Sequence, residues 1–178
     1  LRCIHTRLND WKTGDPLNPG NHLGALIDTK HCAKVKSHLS EGALSGGVME
    51  GPYLSPTLYE DAPNNTRARE EIFGPVLSII TADSDEAAVK IANETDYGLT
   101  ASVFSANTNR ALRAARELRA GTITVNCFGE GDITTPFGGY KHSGFGGRDN
   151  GLYAHDQYCE VKTIWIDLSD ANERDRFS

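Results

Sequence analysis

Two carboxylates and an aromatic side chain stand directly before a Gly-Pro turn in residues 70–76, Glu-Glu-Ile-Phe-Gly-Pro-Val. A strand-forming run follows this turn, and the ligands of open α/β sheets gather at the ends of strands. A carboxylate in such a place can hold a sugar diol, because its oxygens accept two hydroxyl protons. The residues alone leave a simpler alternative open, namely an acidic turn that is only solvated.

A second candidate is the glycine-rich segment at residues 137–148, Phe-Gly-Gly-Tyr-Lys-His-Ser-Gly-Phe-Gly-Gly-Arg. It has neither the G-x-G-x-x-G nor the G-x-x-x-x-G-K-[ST] spacing, and it follows Pro136 instead of joining a strand directly to a helix. Phosphate binding is therefore not predicted. We expect a tight loop whose glycines let the backbone pack closely.

The cysteines and histidines show no spacing typical of a metal site, so none is predicted. No neighbouring base marks any thiol as a nucleophile. Each cysteine is expected to be a reduced, small, buried hydrophobe in a cytoplasmic protein. The four are Cys3, Cys32, Cys127 and Cys159.

Helical patterns open the chain. Ile4, Leu8 and Trp11 share one helical face near the start. Either Asp28 or Thr29 is expected to cap a second helix that continues to about Leu44.

The pattern is clearer over residues 76–126, where strand, helix, strand, helix and strand follow one another with short connections. A capping box of Asp83 and Glu86 is expected to begin the first helix, which Gly98 ends. Asn107 or Thr108 is expected to cap the second. Its core-facing residues are predicted to be Ala111, Leu112, Ala115 and Leu118, with Arg110, Arg113 and Arg116 solvated on the other face.

This order predicts an α/β fold with an open, mainly parallel sheet, right-handed crossovers and flanking helices. The strands are expected at 76–81, 100–104 and 122–126, the first of them buried. At 19.3 kDa, one sizeable hydrophobic core can form.

Charge and hydropathy exclude several classes of protein. The 178 residues include 18 Lys and Arg against 24 Asp and Glu, a net charge of −6. This acidic balance argues against nucleic-acid and membrane-surface binding. No apolar run is long enough for a membrane span. There is no initiator Met and no secretory signal, so we expect part of a longer cytoplasmic protein.

Residues 70–76 resemble a signature of the aldehyde dehydrogenase superfamily, and further blocks of that family follow in order. These are Asn93, Tyr-Gly-Leu-Thr at 97–100, Arg-Ala-Gly at 119–121, Val-Asn at 125–126, and residues 136–148, which are similar to P-F-G-G-x-K-x-S-G-x-G-R. The resemblance extends to about Leu168. Residues 131–137 and 162–166 are similar to the bacterial γ-glutamyl-γ-aminobutyraldehyde and aminoaldehyde dehydrogenases.

The resemblance assigns roles to individual residues. It implies that Glu71 binds the nicotinamide ribose of NAD or NADP and that Phe73 packs near the nicotinamide. It places Phe137 in the aldehyde tunnel, and His31 in a region that approaches the adenine ribose. In the family, a cysteine thiolate attacks the aldehyde, hydride passes to the nicotinamide, and an activated water releases the acid.

Neither the G-Q-x-C motif of the nucleophile nor the E-L-G-G-K motif of the general base occurs. The chain therefore resembles the C-terminal part of the catalytic domain at 1–158, an oligomerisation strand at 159–168 and a frayed tail at 169–178. No catalytic residue is expected in it, and alone it should be inactive. The alternative is a truncated, non-catalytic relative that serves as an oligomerisation or interaction domain.

Two carboxylates, Glu130 and Asp132, precede Phe137 and are further candidates for substrate binding. An unpaired carboxylate is costly to bury, so a small aldehyde with an amine or polar amide at its far end would suit them. The alternative is that both side chains point to solvent.

The expected last strand carries apolar residues on both faces, among them Val161 and Trp165 on one and Ile164 and Ile166 on the other. Such a strand aggregates unless it is covered. Together with the resemblance, this predicts a homodimer or tetramer formed through residues 159–167. An edge strand paired within the chain is the alternative.

Overall fold

The computed structural model describes residues 2–129 and 131–168. The helices within that part are α1 (Arg2–Asn9), α2 (Thr29–Ser37), α3 (Thr66–Arg69), α4 (Asp85–Asn93) and α5 (Thr108–Glu117), with a 3-10 helix at Leu152–Gln157. The strands are β1 (Met49–Glu50), β2 (Tyr53–Leu54), β3 (Thr57–Glu60), β4 (Val76–Ile79), β5 (Tyr97–Gly98), β6 (Thr100–Val103), β7 (Thr122–Val125) and β8 (Tyr140–Lys141). None of the described helices could span a membrane.

The strands pair two by two. β3 and β4 are parallel, with Thr57 opposite Val76, and β6 and β7 are parallel, with Thr100 opposite Thr122. β1–β2 and β5–β8 are antiparallel. The predicted α/β fold with parallel strands is therefore confirmed. A single sheet through β4, β6 and β7 is not what the described residues form, because β4 pairs with the upstream strand β3.

Two predictions that side chains are buried are wrong. β4 ends at Ile79 and is only half-buried, with Leu77 46% exposed, because nothing in the described part of the chain covers that face. In α5, Ala111 is fully buried but Leu112 is 43% exposed, since the next residue of a helix points about 100° away. Arg110 is also more than a solvated cation, because its Nε donates to Asp85 at 2.7 Å and joins α5 to α4.

Side chains cap the N-termini of α2, α4 and α5. Asp28 caps α2 by accepting from the His31 amide at 2.6 Å, and Asn107 caps α5. α2 ends at Ser37, seven residues before Leu44, where the His38 amide closes the last turn on Val35 and Lys36. α4 is capped by Ser84 instead of the expected Asp83, and it ends at Asn93, not at Gly98.

The four cysteines are free thiols, and the expectation that they are buried is wrong: Cys3 and Cys159 are exposed, and Cys32 and Cys127 are partly so. Residues 159–168 have no regular secondary structure, so the expected strand is not formed within this chain. The expected frayed tail at 169–178 lies outside the described residues.

The hydrophobic core lies where α2 meets β2 and the segment before β4. Val35, Leu54 and Ile72 are its buried members, and they are packed against Leu26, Leu39, Met49 and Val76.

A buried ion pair stands beside this core. Arg67 of α3 binds the Asp61 carboxylate through two hydrogen bonds, Nε to Oδ2 at 3.0 Å and Nη2 to Oδ1 at 2.7 Å. Its Nη1 donates to the His38 carbonyl at 2.9 Å, and its guanidinium carbon lies 3.5 Å from the centre of the Tyr59 ring. Ser78 of β4 donates to the same carboxylate at 2.6 Å. One pair thus joins the end of α2, β3, α3 and β4.

We expect Asp61→Asn to lower the free energy of unfolding by about 3 kcal/mol, because it leaves the Arg67 charge buried and unpaired. Urea denaturation followed by circular dichroism measures this. The control is Asp85→Asn, which breaks the exposed pair with Arg110 and should cost much less. Equal losses in both variants would contradict the central place of Asp61.

The loss also depends on pH. Hydrogen bonding from Arg67 holds the pKa of Asp61 below its usual range. A carboxylate with a lowered folded pKa stabilises the fold above its unfolded pKa, and that stability disappears as pH falls through the folded value. The difference between wild type and Asp61→Asn should therefore shrink below about pH 4.

Candidate cofactor and substrate site

Residues 70–76 run from α3 to β4 and alternate between core and surface. Ile72 is 7% exposed and packs in the core, whereas Glu71 is exposed and Phe73 is 72% exposed. At Gly74, a Cβ would come within 3.0 Å of the Val35 side chain, so this backbone sits tightly on α2. The two residues that the resemblance assigns to the nicotinamide end of the cofactor are thus presented outward by a fixed segment.

Phe73 has a φ of +56°, in the left-handed region that non-glycine residues seldom adopt. Such a conformation persists only where the surroundings hold it. Here the buried Ile72 precedes it and the closely packed Gly74 follows it. The left-handed backbone conformation at Phe73 directs its ring away from the core.

Glu71 borders a cleft of about 270 Å³ whose other walls include Leu99, Thr100 and Arg119. The cleft lies at the start of β6, beside the end of α4. Thr100 also borders a second cleft, so the two cavities share a wall residue.

The glycine-rich loop is a scaffold that holds strand ends together. Lys141 donates through Nζ to the carbonyls of Asn93 and Thr95, both at 2.8 Å, and Ser143 Oγ accepts from the Gly98 amide at 3.1 Å. Asn93 donates in turn to the Glu117 carbonyl at 2.9 Å. These motif residues therefore satisfy one another and the backbone.

The glycines of the loop allow close backbone approach, which confirms the predicted tight loop. A Cβ at Gly121 would overlap the carbonyl of Gly138, and one at Gly139 would overlap Ser143. At Gly98 it would come within 2.6 Å of the Arg119 carbonyl.

The second cleft, of about 260 Å³, contains Phe137 and Asp132 together. Phe137 is 40% exposed and is held by a pair of 2.7 Å backbone hydrogen bonds with Asp149. Phe128 forms another aromatic part of the wall. Two of the predicted substrate residues thus share one cavity, while Glu130 lies outside the described residues.

Hydroxyl groups form the floor of this cleft, and they come from one face of the β6–β7 pair: Thr100, Ser102, Thr122 and Thr124. The Thr124 hydroxyl donates to the Cys127 carbonyl at 2.9 Å, so Ser102, at 2.8 Å, must donate to Thr124. The Thr122 hydroxyl is enclosed and has no hydrogen-bond partner among the described residues. The alternation of hydroxyl residues along both strands was the available sequence signal for this floor.

Asn126 fixes the end of the floor. Its side-chain amide accepts from the Ser105 amide at 2.8 Å and donates to the Ser105 carbonyl at 3.0 Å, and its φ is +58°. The chain therefore turns sharply at the ends of β6 and β7 and enters the loop that carries Phe128.

Asp132 lies in a turn with its carboxylate bound locally. Its Oδ1 accepts from the Thr134 amide at 2.7 Å, from the Thr134 hydroxyl at 2.6 Å and from the Thr135 hydroxyl at 3.4 Å. Mainly because of the Thr134 hydroxyl, the pKa of this carboxyl is lowered. Asp132 is exposed, and its role toward a substrate stays a prediction.

His31 lies on α2 with both ring nitrogens enclosed and without a hydrogen-bond partner in the described part of the chain. Within the described part of the chain, its ring makes no hydrogen bond to Glu71 or to the backbone of Phe73. Among residues 2–129 and 131–168, no three His, Cys, Asp or Glu side chains are grouped to hold a metal ion.

Known proteins with similar sequences are aldehyde-oxidising enzymes. The chain is 50% identical over 177 residues to aminoacetaldehyde dehydrogenase from Pseudomonas aeruginosa, covering 95% of this chain and 36% of that enzyme. It is 42% identical over 176 residues to the NADP/NAD-dependent aldehyde dehydrogenase PuuC from Escherichia coli, covering 94% and 35%. The chain thus spans about a third of the length of these relatives.

Solved structures agree. The indole-3-acetaldehyde dehydrogenase AldA of P. syringae, in complex with NAD+, superposes with a TM-score of 0.85 at 43% identity, over 94% of this chain and 36% of that one. The aldehyde dehydrogenase KauB of Pseudomonas aeruginosa gives 0.84 at 42% identity over the same shares. The sequence profile of the aldehyde dehydrogenase family matches residues 2–164, and the chain therefore belongs to that family.

Proposed function

We propose that this chain is the C-terminal portion of an NAD- or NADP-dependent aldehyde dehydrogenase that oxidises an aldehyde to the carboxylic acid. Its part is to hold the nicotinamide ribose and to form one wall of the aldehyde tunnel. The observation that carries the proposal is the outward display of Glu71 and Phe73 by a segment fixed through Ile72 and Gly74.

The residues present fit the nicotinamide end of such a cofactor. Glu71 is an exposed carboxylate at the border of a cleft, and a carboxylate can accept hydrogen bonds from two ribose hydroxyls. Phe73 offers an exposed ring that can pack against a flat heterocycle. When bound, the cofactor accepts a hydride from the substrate.

In this proposal, the residues of this chain orient the cofactor and enclose the substrate. Glu71 fixes the ribose so that the nicotinamide meets the substrate at a productive distance. Phe137 and Phe128 pack on the hydrocarbon part of the aldehyde. Because no nucleophile motif or general-base motif occurs here, the chain alone should not turn over. Its free thiols fit a reducing compartment, and we place the enzyme in the cytoplasm.

A chimaera tests the function. In the aminoacetaldehyde dehydrogenase of Pseudomonas aeruginosa, the aligned segment is replaced by this chain, and NAD+ reduction is followed at 340 nm. We expect activity from the chimaera and none from the 178-residue chain alone. Turnover by the chain alone would contradict the proposed division of labour. A folded chimaera without activity would favour the alternative, a non-catalytic interaction domain.

In the active chimaera, Glu71→Gln should slow hydride transfer about tenfold, because a neutral amide holds the ribose diol less firmly and the nicotinamide loses alignment. Single-turnover stopped-flow kinetics measure this step. Glu70→Gln is the matched control, since it removes the neighbouring carboxylate and should leave the rate unchanged. Equal rates for Glu71→Gln and wild type would exclude the role.

The proposed substrates are aldehydes with an amine at the far end. The relative from Pseudomonas aeruginosa carries the name of an aminoaldehyde enzyme. In this chain, Asp132 lies in the same cleft as Phe137, and its lowered pKa keeps it anionic at neutral pH. Glu130, two residues earlier, is proposed to add a second negative charge.

Asp132→Asn in the chimaera should raise KM for 3-aminopropanal about tenfold, because the charge that pairs with the ammonium is lost. KM for butanal, which has the same chain length without the charge, should stay the same. Steady-state kinetics on both aldehydes measure this. A parallel loss on the two substrates would mean that Asp132 only shapes the loop.

We also propose that residues 159–167 form a strand with a neighbouring subunit. The segment displays large apolar side chains with no covering partner described, including Val161 at 99%, Trp165 at 93% and Ile166 at 73% exposed. Exposed apolar residues in such a run mark an association surface.

Light scattering should therefore report a dimer or tetramer for the chimaera. Trp165→Glu should shift it toward monomer, because a buried charge destabilises an apolar interface. Leu17→Glu, at an equally exposed position elsewhere, is the control and should not change the mass. A stable monomer with Trp165 intact would rule out a strand shared with a neighbouring subunit.

A further inference from the structure

We propose that Thr134 is a positioning residue for substrate selectivity: its hydroxyl holds the Asp132 carboxylate in the orientation that receives an ammonium group. This inference rests on the proposed role of Asp132. It adds a second residue, which belongs to no sequence motif, to the recognition of the amine at the far end of the aldehyde.

Three donors converge on one carboxylate oxygen. The Thr134 amide and hydroxyl reach Oδ1 at 2.7 and 2.6 Å, and the Thr135 hydroxyl reaches it at 3.4 Å. Each of these hydrogen bonds restricts the rotation of the carboxylate. The other oxygen, Oδ2, takes part in none of the three.

The turn that carries these donors is anchored on both sides. The Thr135 amide donates to the Asp132 carbonyl at 3.0 Å, and the Gly151 amide donates to the Ile133 carbonyl at 2.7 Å. Gly151 has a φ of +61°, and a Cβ there would come within 2.8 Å of the Thr134 carbonyl. The backbone that carries Thr134 is therefore held in place, and the Thr134 hydroxyl is directed at Oδ1 by its own hydrogen bond.

The hydrogen bond from Thr134 affects the binding of a cation because Asp132 is exposed. An exposed carboxylate that rotates freely attracts a cation only weakly, since water screens the charge and ordering the side chain costs entropy. A carboxylate ordered beforehand avoids that cost at the moment of binding. The lowered pKa of Asp132, caused first by the Thr134 hydroxyl, agrees with this arrangement.

The distances distinguish the two threonines. At 2.6 Å the Thr134 hydroxyl makes a short bond to a charged acceptor, whereas 3.4 Å is near the limit for Thr135. The assignment therefore falls on Thr134, and Thr135 provides a neighbouring comparison of the same residue type.

The test uses the active chimaera with 3-aminopropanal and butanal as substrates. Thr134→Val keeps the β-branched shape and the backbone amide but removes the hydroxyl. We expect KM for 3-aminopropanal to rise about three- to tenfold, with kcat and both constants for butanal unchanged. Thr134→Ser should restore the wild-type KM, and Thr135→Val, which removes only the longer hydrogen bond, should raise it less than Thr134→Val does. Thermal unfolding of each variant checks the fold.

The outcomes separate this inference from the proposed function. If Asp132→Asn is selective for 3-aminopropanal and Thr134→Val has no effect, the positioning role is wrong and the function stands. If Thr134→Val weakens both substrates equally, or Thr134→Ser fails to restore selectivity, Thr134 only maintains the loop and the inference is overturned. If Asp132→Asn itself has no effect on KM for 3-aminopropanal, the proposed role of Asp132 is wrong, and the inference about Thr134 that rests on it is overturned as well.

Discussion

The ion pair between Asp61 and Arg67 is the interaction on which the first half of the structure depends. It is almost completely enclosed, with 2% and 10% of the two side chains exposed. The one Arg67 nitrogen outside the pair, Nη1, donates to the His38 carbonyl and the Ser40 hydroxyl, and the guanidinium lies over the Tyr59 ring. Removing either partner would leave a buried charge. Since α3 leads directly into residues 70–76, the pair also fixes where Glu71 and Phe73 emerge.

The glycine-rich loop has the corresponding task in the second half. Its lysine and serine make hydrogen bonds with the backbone around β5, and its glycines allow carbonyl groups to approach closely. The family motif at 136–148 is therefore mainly structural in this chain, and Phe137 is its aromatic residue in the cleft that also contains Asp132. Fixed loops at both clefts would provide the preorganisation that the proposed substrate and cofactor binding requires.

Local patterns predicted much of this structure. The β6–α5–β7 unit follows from short connections, the Asn107 cap and β-branched strands, and the structure has it. The pairing of β4 with β3 could not be predicted, because it depends on Tyr59 and Leu58 being buried by distant parts of the chain. For the same reason, no local pattern indicated the ion pair between Asp61 and Arg67. The Asp132 turn was predictable in principle, since an aspartate two residues before a threonine is a common turn former.

A crystal structure of the chimaera with NAD+ bound would show which side chain holds the nicotinamide ribose. We expect the Glu71 carboxylate to lie about 2.7 Å from the ribose hydroxyls, with the Phe73 ring beside the nicotinamide. A bound cofactor whose ribose is held by another side chain, with Glu71 in solvent, would contradict it.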